Sequence, residues 1–148
     1  MNYINEMNEC EANQFEDFLD KYLKMDPNAE VANFLKAYAL FEKKEYEKAL
    51  DVLHKLEKKN PKYLGAYDLA IQVEMAQGNF VAIKKEFQKA IDCDQFDNTL
   101  TQRWIQYCAM QGINQSTAQK MLDNLMIKSL EKRGKVKEAE QFKKKLGY

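Results

Sequence analysis

Residues 46–61 (YEKALDVLHKLEKKNP) return 34 positions later as residues 80–95 (FVAIKKEFQKAIDCDQ), with apolar side chains in the same phase. Tyr46 aligns with Phe80, Ala49 with Ile83, Leu53 with Phe87 and Leu56 with Ala90. A fixed period of this size is the signature of stacked structural units, each too small to bury its own apolar face. The turns keep the period too. Lys44-Glu45 precedes the first stretch, Gly78-Asn79 the second, and Gly112 stands 34 residues beyond Gly78, as Pro61 does beyond Pro27. The expected fold class is all-α, an α-solenoid of antiparallel helix hairpins with about eight helices and a capping helix at each end.

Helical spacing places the elements. Phe15, Phe18, Leu19, Tyr22 and Leu23 predict one apolar face on a helix over 11–25, with Glu16, Asp17, Asp20, Lys21 and Lys24 on the other. Residues 1–9 are polar and aperiodic, a frayed lead-in. Asp26-Pro27 breaks the helix, because a residue before Pro avoids the helical region. A second helix over 28–43 is apolar around more than half its circumference, as an inner helix must be. A third spans 46–59; Asn60-Pro61 ends it and reads as the cap and first turn of a fourth over 62–77. Further helices follow over 80–93 and 98–111. After Gly112 the period fails, and an uninterrupted pattern predicts one long helix over 115–133, capped by Asn114. A last helix over 135–146 carries a narrow stripe of Val136, Ala139, Phe142 and Leu146 in a charged exterior, which suits the end of a stack.

Few residues break helices: two Pro and five Gly in 148. Net charge is zero, yet residues 1–30 carry −6 and residues 128–148 carry +5. That asymmetry allows self-association of an acidic first helix with a basic last one, or nucleic-acid binding by the basic end. Against the latter, aromatics are scarce there, and single-strand binders stack bases as well as neutralise phosphate. No run approaches the ~18 apolar residues of a membrane helix, so no membrane insertion is expected, and the start lacks the basic and apolar regions of a signal peptide. Three scattered cysteines, Cys10, Cys93 and Cys108, suit a reducing compartment, and the expected location is cytoplasmic.

The two units 30–63 and 64–97 resemble the tetratricopeptide repeat family, with Ala37 and Ala49 at its small positions, Leu40, Tyr46, Leu53 and Leu56 at its large ones, and Pro61 at its closing proline. The second unit matches through Tyr67, Gly78, Phe80, Phe87 and Ala90; it departs at Ile71 and Ile83, where small residues are usual, and at Glu74, usually aromatic. The first departs at Asn33 and Lys36, normally apolar, so its first helix could be shifted in register. A third keeps Trp104, Ile105, Cys108 and Gly112 and then degenerates. The domain expectation is one domain over 1–148: a capping helix (1–27), repeats over 28–63 and 64–97, a degenerate third over 98–133 and a final cap over 134–148.

Chemistry is hard to find. His54 is the sole histidine, and no nucleophile lies near it in sequence to form a catalytic pair. No Cys-x-x-Cys or His pair offers a metal site, and no Gly-rich loop cradles phosphate. The expectation is a protein without catalysis, metal or cofactor. What the resemblance implies is a concave groove for a partner segment, lined by Val31, Phe34, Tyr38 and Phe41, then Gly65, Asp68, Gln72 and Met75, then Thr99, Gln102, Gln106 and Ala109. Phe34, Tyr38 and Phe41 have an equal competing reading, packing on the leading helix through Phe15 and Phe18. Co-chaperones of the family clamp a chaperone's C-terminal carboxylate; the corresponding residues here are Phe34, Tyr38, Leu69, Thr99 and Arg103, of which only Arg103 fits, so no such clamp is expected. A peptide-binding adaptor is the leading functional expectation, with a small export or assembly chaperone of the same type as the alternative.

Overall fold

The computed structural model describes residues 9–147, and among them it holds eight α-helices and no strand. The helices are α1 (Glu9–Met25), α2 (Glu30–Glu42), α3 (Tyr46–Lys59), α4 (Leu64–Gln77), α5 (Phe80–Asp92), α6 (Asn98–Met110), α7 (Gln115–Lys132) and α8 (Val136–Leu146). The all-α fold expected from the repeat is the fold observed. Most of the lead-in, residues 1–8, lies outside the described residues. The chain divides into two compact units between Phe80 and Val81.

The 34-residue period is written in the backbone of the turns. Lys44, Gly78 and Gly112 all adopt the left-handed conformation, at φ 63°, 69° and 78°. Each ends its helix in the same way. Glu45 N–H reaches Leu40 O and Lys44 N–H reaches Phe41 O; Asn79 and Gly78 repeat this on Glu74 and Met75, and Ile113 and Gly112 on Cys108 and Ala109. These paired bonds satisfy carbonyls that the helix end leaves open. Asp94 and Gly134 close α5 and α7 with the same bond pattern.

In the first unit α2, α3 and α4 share a core. Ala37 and Leu40 of α2, Ala49 and Leu53 of α3, and Leu69 and Val73 of α4 form one buried cluster. Ala37 and Ala49 are small because the paired helices pass close there. α2 also touches α4 directly, so the first hairpin offers α4 a packing surface. α4 is the most enclosed helix, buried at Ala66, Tyr67, Leu69, Ala70, Ile71, Val73 and Glu74. In the second unit Phe87, the counterpart of Leu53, is likewise fully buried. It packs edge-on to Trp104 at 5.1 Å and 88°, and against Tyr107 at 5.9 Å. Ile83 and Ala90 are buried on the same face of α5, whereas Phe80 at its start is exposed. Trp104 donates its indole N–H to Ala118 O at 2.8 Å, tying α6 to α7.

Two local expectations are corrected. Asn60-Pro61 does not open α4. Asn60 does end α3, as expected, as its C-cap, and its side chain accepts from Lys62 N–H at 3.2 Å and donates to Glu30 at 2.8 Å. Its amide is engaged with α2 and the turn, so α4 begins only at Leu64. The face of α1 is also rotated from its expected setting. Leu19 and Glu16 are buried, while Phe18 and Tyr22 point outward. α2 pairs with this side of α1: its Lys43 binds Glu16, which is buried, and its Lys36 binds Asp20, which stays exposed, at 2.9 Å. A wide apolar stripe cannot be covered by one neighbouring helix. Asn114 caps α7 as expected, accepting from Thr117 N–H at 2.8 Å.

Candidate functional site

Three faces of α2 have three different neighbours. Ala37 and Leu40 turn to α3 and the shared core. Lys36, Ala39 and Lys43 turn to α1, through the two ion pairs and a shallow cleft that Ala39 and Lys43 line with Ala12, Phe15 and Glu16. Phe34, Tyr38 and Phe41 lie roughly opposite that α1-facing side at ~100° per residue. The aromatic face is therefore not the one on which α1 rests.

The aromatic side chains are held by one another and by the chain that follows them. Tyr38 meets Phe41 edge-on at 6.5 Å, and Phe41 meets Tyr46 at 5.9 Å. Phe34 sits edge-on to Tyr63, ring centroids 5.9 Å apart. It also lies over the backbone of α4, where a Cβ on Gly65 would come within 3.3 Å of Phe34 Cε2. Absence of a side chain at Gly65 thus gives Phe34 its place between α2 and α4. Phe34, Tyr38 and Phe41 are each half-buried, and Val31, one turn earlier, is 64% exposed. Burial, and after it the Glu30 carboxylate, raises the pKa of the Tyr63 phenol.

On α4 the same side of the first unit continues in polar form. Gln72 donates to Asp68 at 3.0 Å, one turn apart, and both are half-buried, as is Met75. Phe34 meeting Gly65 brings the first turns of α2 and α4 together. On α6, in the second unit, Gln102 and Gln106 are exposed and Arg103 is half-buried. His54 is exposed on α3.

The basic C-terminal region is tied into its own unit. Arg133 and Lys135 both bind Asp94, at 2.8 Å and 3.0 Å, and Lys143 binds Glu131 at 2.9 Å. Hydrogen bonding from Lys135, assisted by Arg133, lowers the pKa of Asp94. Beside this node Ser129 donates to Asp92 at 2.6 Å. Cations engaged with internal carboxylates are less available to phosphate.

Sequence reasoning overlooked Tyr63 and the buried acids. Tyr63 belongs to a turn, where no helical period marks it. Its signal was the neighbouring Gly65, which leaves room for a ring. Glu57, Glu74 and Glu86 are buried, with Glu86 bridged to Lys89 at 3.0 Å. Charged residues default to the surface, and only the departure of Glu74 from the repeat pattern hinted otherwise.

No family model and no curated protein matches the chain. No described helix is long and apolar enough to cross a membrane.

Proposed function

We propose that this is a tetratricopeptide-like adaptor whose first unit binds a segment of a partner protein along the face shared by α2 and α4. The observation that carries this reading is Phe34 over Gly65. Two helices meet there with an aromatic ring in the seam, the exposed Val31 beside it and α1 on the other side of α2. Such a face offers apolar anchoring from Val31, Phe34, Tyr38 and Phe41. Asp68 and Gln72 offer polar groups to fix register. An amphipathic helix, or an extended strand with one apolar edge, has the matching chemistry.

A peptide library selected against the intact protein tests this. A selected peptide should bind Val31→Glu and Tyr38→Glu at least about tenfold more weakly than wild type, and Val136→Glu unchanged. Val31 is exposed enough that its substitution leaves packing intact. Equal affinity for all four proteins would remove the assignment.

A further inference from the structure

We propose that α1 is also a self-association helix, through which two copies of the chain pack antiparallel and close a two-fold dimer. The face concerned is separate from the proposed partner groove, so either reading can fail alone.

The first unit uses only one side of α1. Leu19, with Glu16 and Asp20 on their lysines, faces α2. Phe18, Tyr22 and Met25 stand at i, i+4 and i+7 on another side, 61%, 46% and 87% exposed. The rings of Phe18 and Tyr22 lie 6.5 Å apart, so the stripe is continuous. Three large apolar side chains in a row on an outer helix form a patch of the kind that marks an interface, and their spacing is that of a two-helix seam.

Charge identifies the occupant. Glu16 is buried on Lys43, and Asp20, exposed but paired with Lys36, lies toward α2, so the charges beside the stripe are polarised along the helix. Asp17 comes first, and Lys21 and Lys24 follow. All three fall on one flank at ~100° per residue. An antiparallel pair brings that flank against its own copy, with Asp17 beside Lys21 and Lys24 of the second copy. The same register sets Phe18 against Tyr22 of the second copy. A parallel pair loses this opposition of acid to lysine. The contact is self-complementary and therefore closes at two, unlike a head-to-tail contact between the acidic and basic ends, which continues to grow.

Sedimentation of the intact protein from roughly 1 to 500 µM decides it, since mass action brings a weak dimer into view at the upper end. The expected result is a monomer–dimer equilibrium that Phe18→Glu and Met25→Glu abolish while circular dichroism stays unchanged. Asp17→Lys should weaken the dimer at least about tenfold, and adding Lys21→Asp and Lys24→Asp to it should restore association. A monomer at every concentration, growth beyond two copies, or a dimer indifferent to Phe18→Glu would each overturn the proposal.

Discussion

Lys44 and Gly78, 34 residues apart, hold the same left-handed backbone conformation and close their helices with the same pair of hydrogen bonds. One is glycine and the other is not. For an L-residue with a Cβ this region costs about 1–2 kcal/mol, so position 44 bears a strain that position 78 avoids.

Substitution at these turns should therefore move stability in opposite directions. Lys44→Gly should stabilise by up to about 1 kcal/mol, part of the gain being offset by the freer unfolded chain. Gly78→Ala should destabilise by about 1 kcal/mol or more. Urea midpoints at constant m-value would check both.

Equivalent positions of the two units should be comparably sensitive. Leu53→Ala is expected to cost ~2–5 kcal/mol and Phe87→Ala ~3–5 kcal/mol, each opening a cavity in a fully buried seam. Ala49→Leu should overpack the close approach of α2 and α3 and cost ~1–3 kcal/mol. Lys55→Ala, on the exposed side of α3, should stay within about 0.5 kcal/mol. Thermal and denaturant unfolding of the four variants gives the ranking.

The Asp94 node predicts an acid-sensitive difference. Its folded pKa lies below the unfolded value, so its contribution is complete above the ordinary carboxylate range and is lost as pH falls through the folded value. Asp94→Asn keeps a residue that tolerates the left-handed turn and removes the charge. At neutral pH the variant should be about 0.5–1 kcal/mol less stable, as for other partly exposed ion pairs. The gap should close progressively in acid. A gap that persists unchanged at low pH would place the stabilisation elsewhere.

Thiol chemistry should follow burial. Cys10 is exposed and Cys108 is fully enclosed, with burial raising the Cys108 pKa. A thiol reagent should label Cys10 rapidly and Cys108 only after unfolding, a difference that mass spectrometry of digested samples resolves.

Sequence made the fold legible where a single side chain or turn carried the information. Ala49 and Leu53 against Ile83 and Phe87 set the helix faces, and Gly78 and Gly112 set two ends. Asn114 announced its helix by its own hydrogen bond. Failures came where a second element decided the outcome. The burial of Glu16 and the pairing of Asp20 depend on Lys43 and Lys36, residues of another helix. Asn60 ends α3 as its position suggests, but its side chain is engaged with Glu30 of α2 and Lys62 N–H, and α4 starts later than its Asn-Pro signature implies. At the candidate site Phe34, Tyr38 and Phe41 were legible as a face. Which neighbour covered them was not, because that depends on how α1 is rotated. The enclosure of Glu57 and Glu86 follows from packing that no local pattern encodes.

Gly65 gives the seam between α2 and α4 a gauge that is independent of charge. A methyl group there would press on the Phe34 ring at 3.3 Å and on Tyr63 at 3.4 Å. Each larger residue at this single position would narrow the opening further without altering its polarity. Spacing at this seam and the polar groups of Asp68 and Gln72 beside it are thus set by different residues, and one can be adjusted by mutation while the other is held fixed.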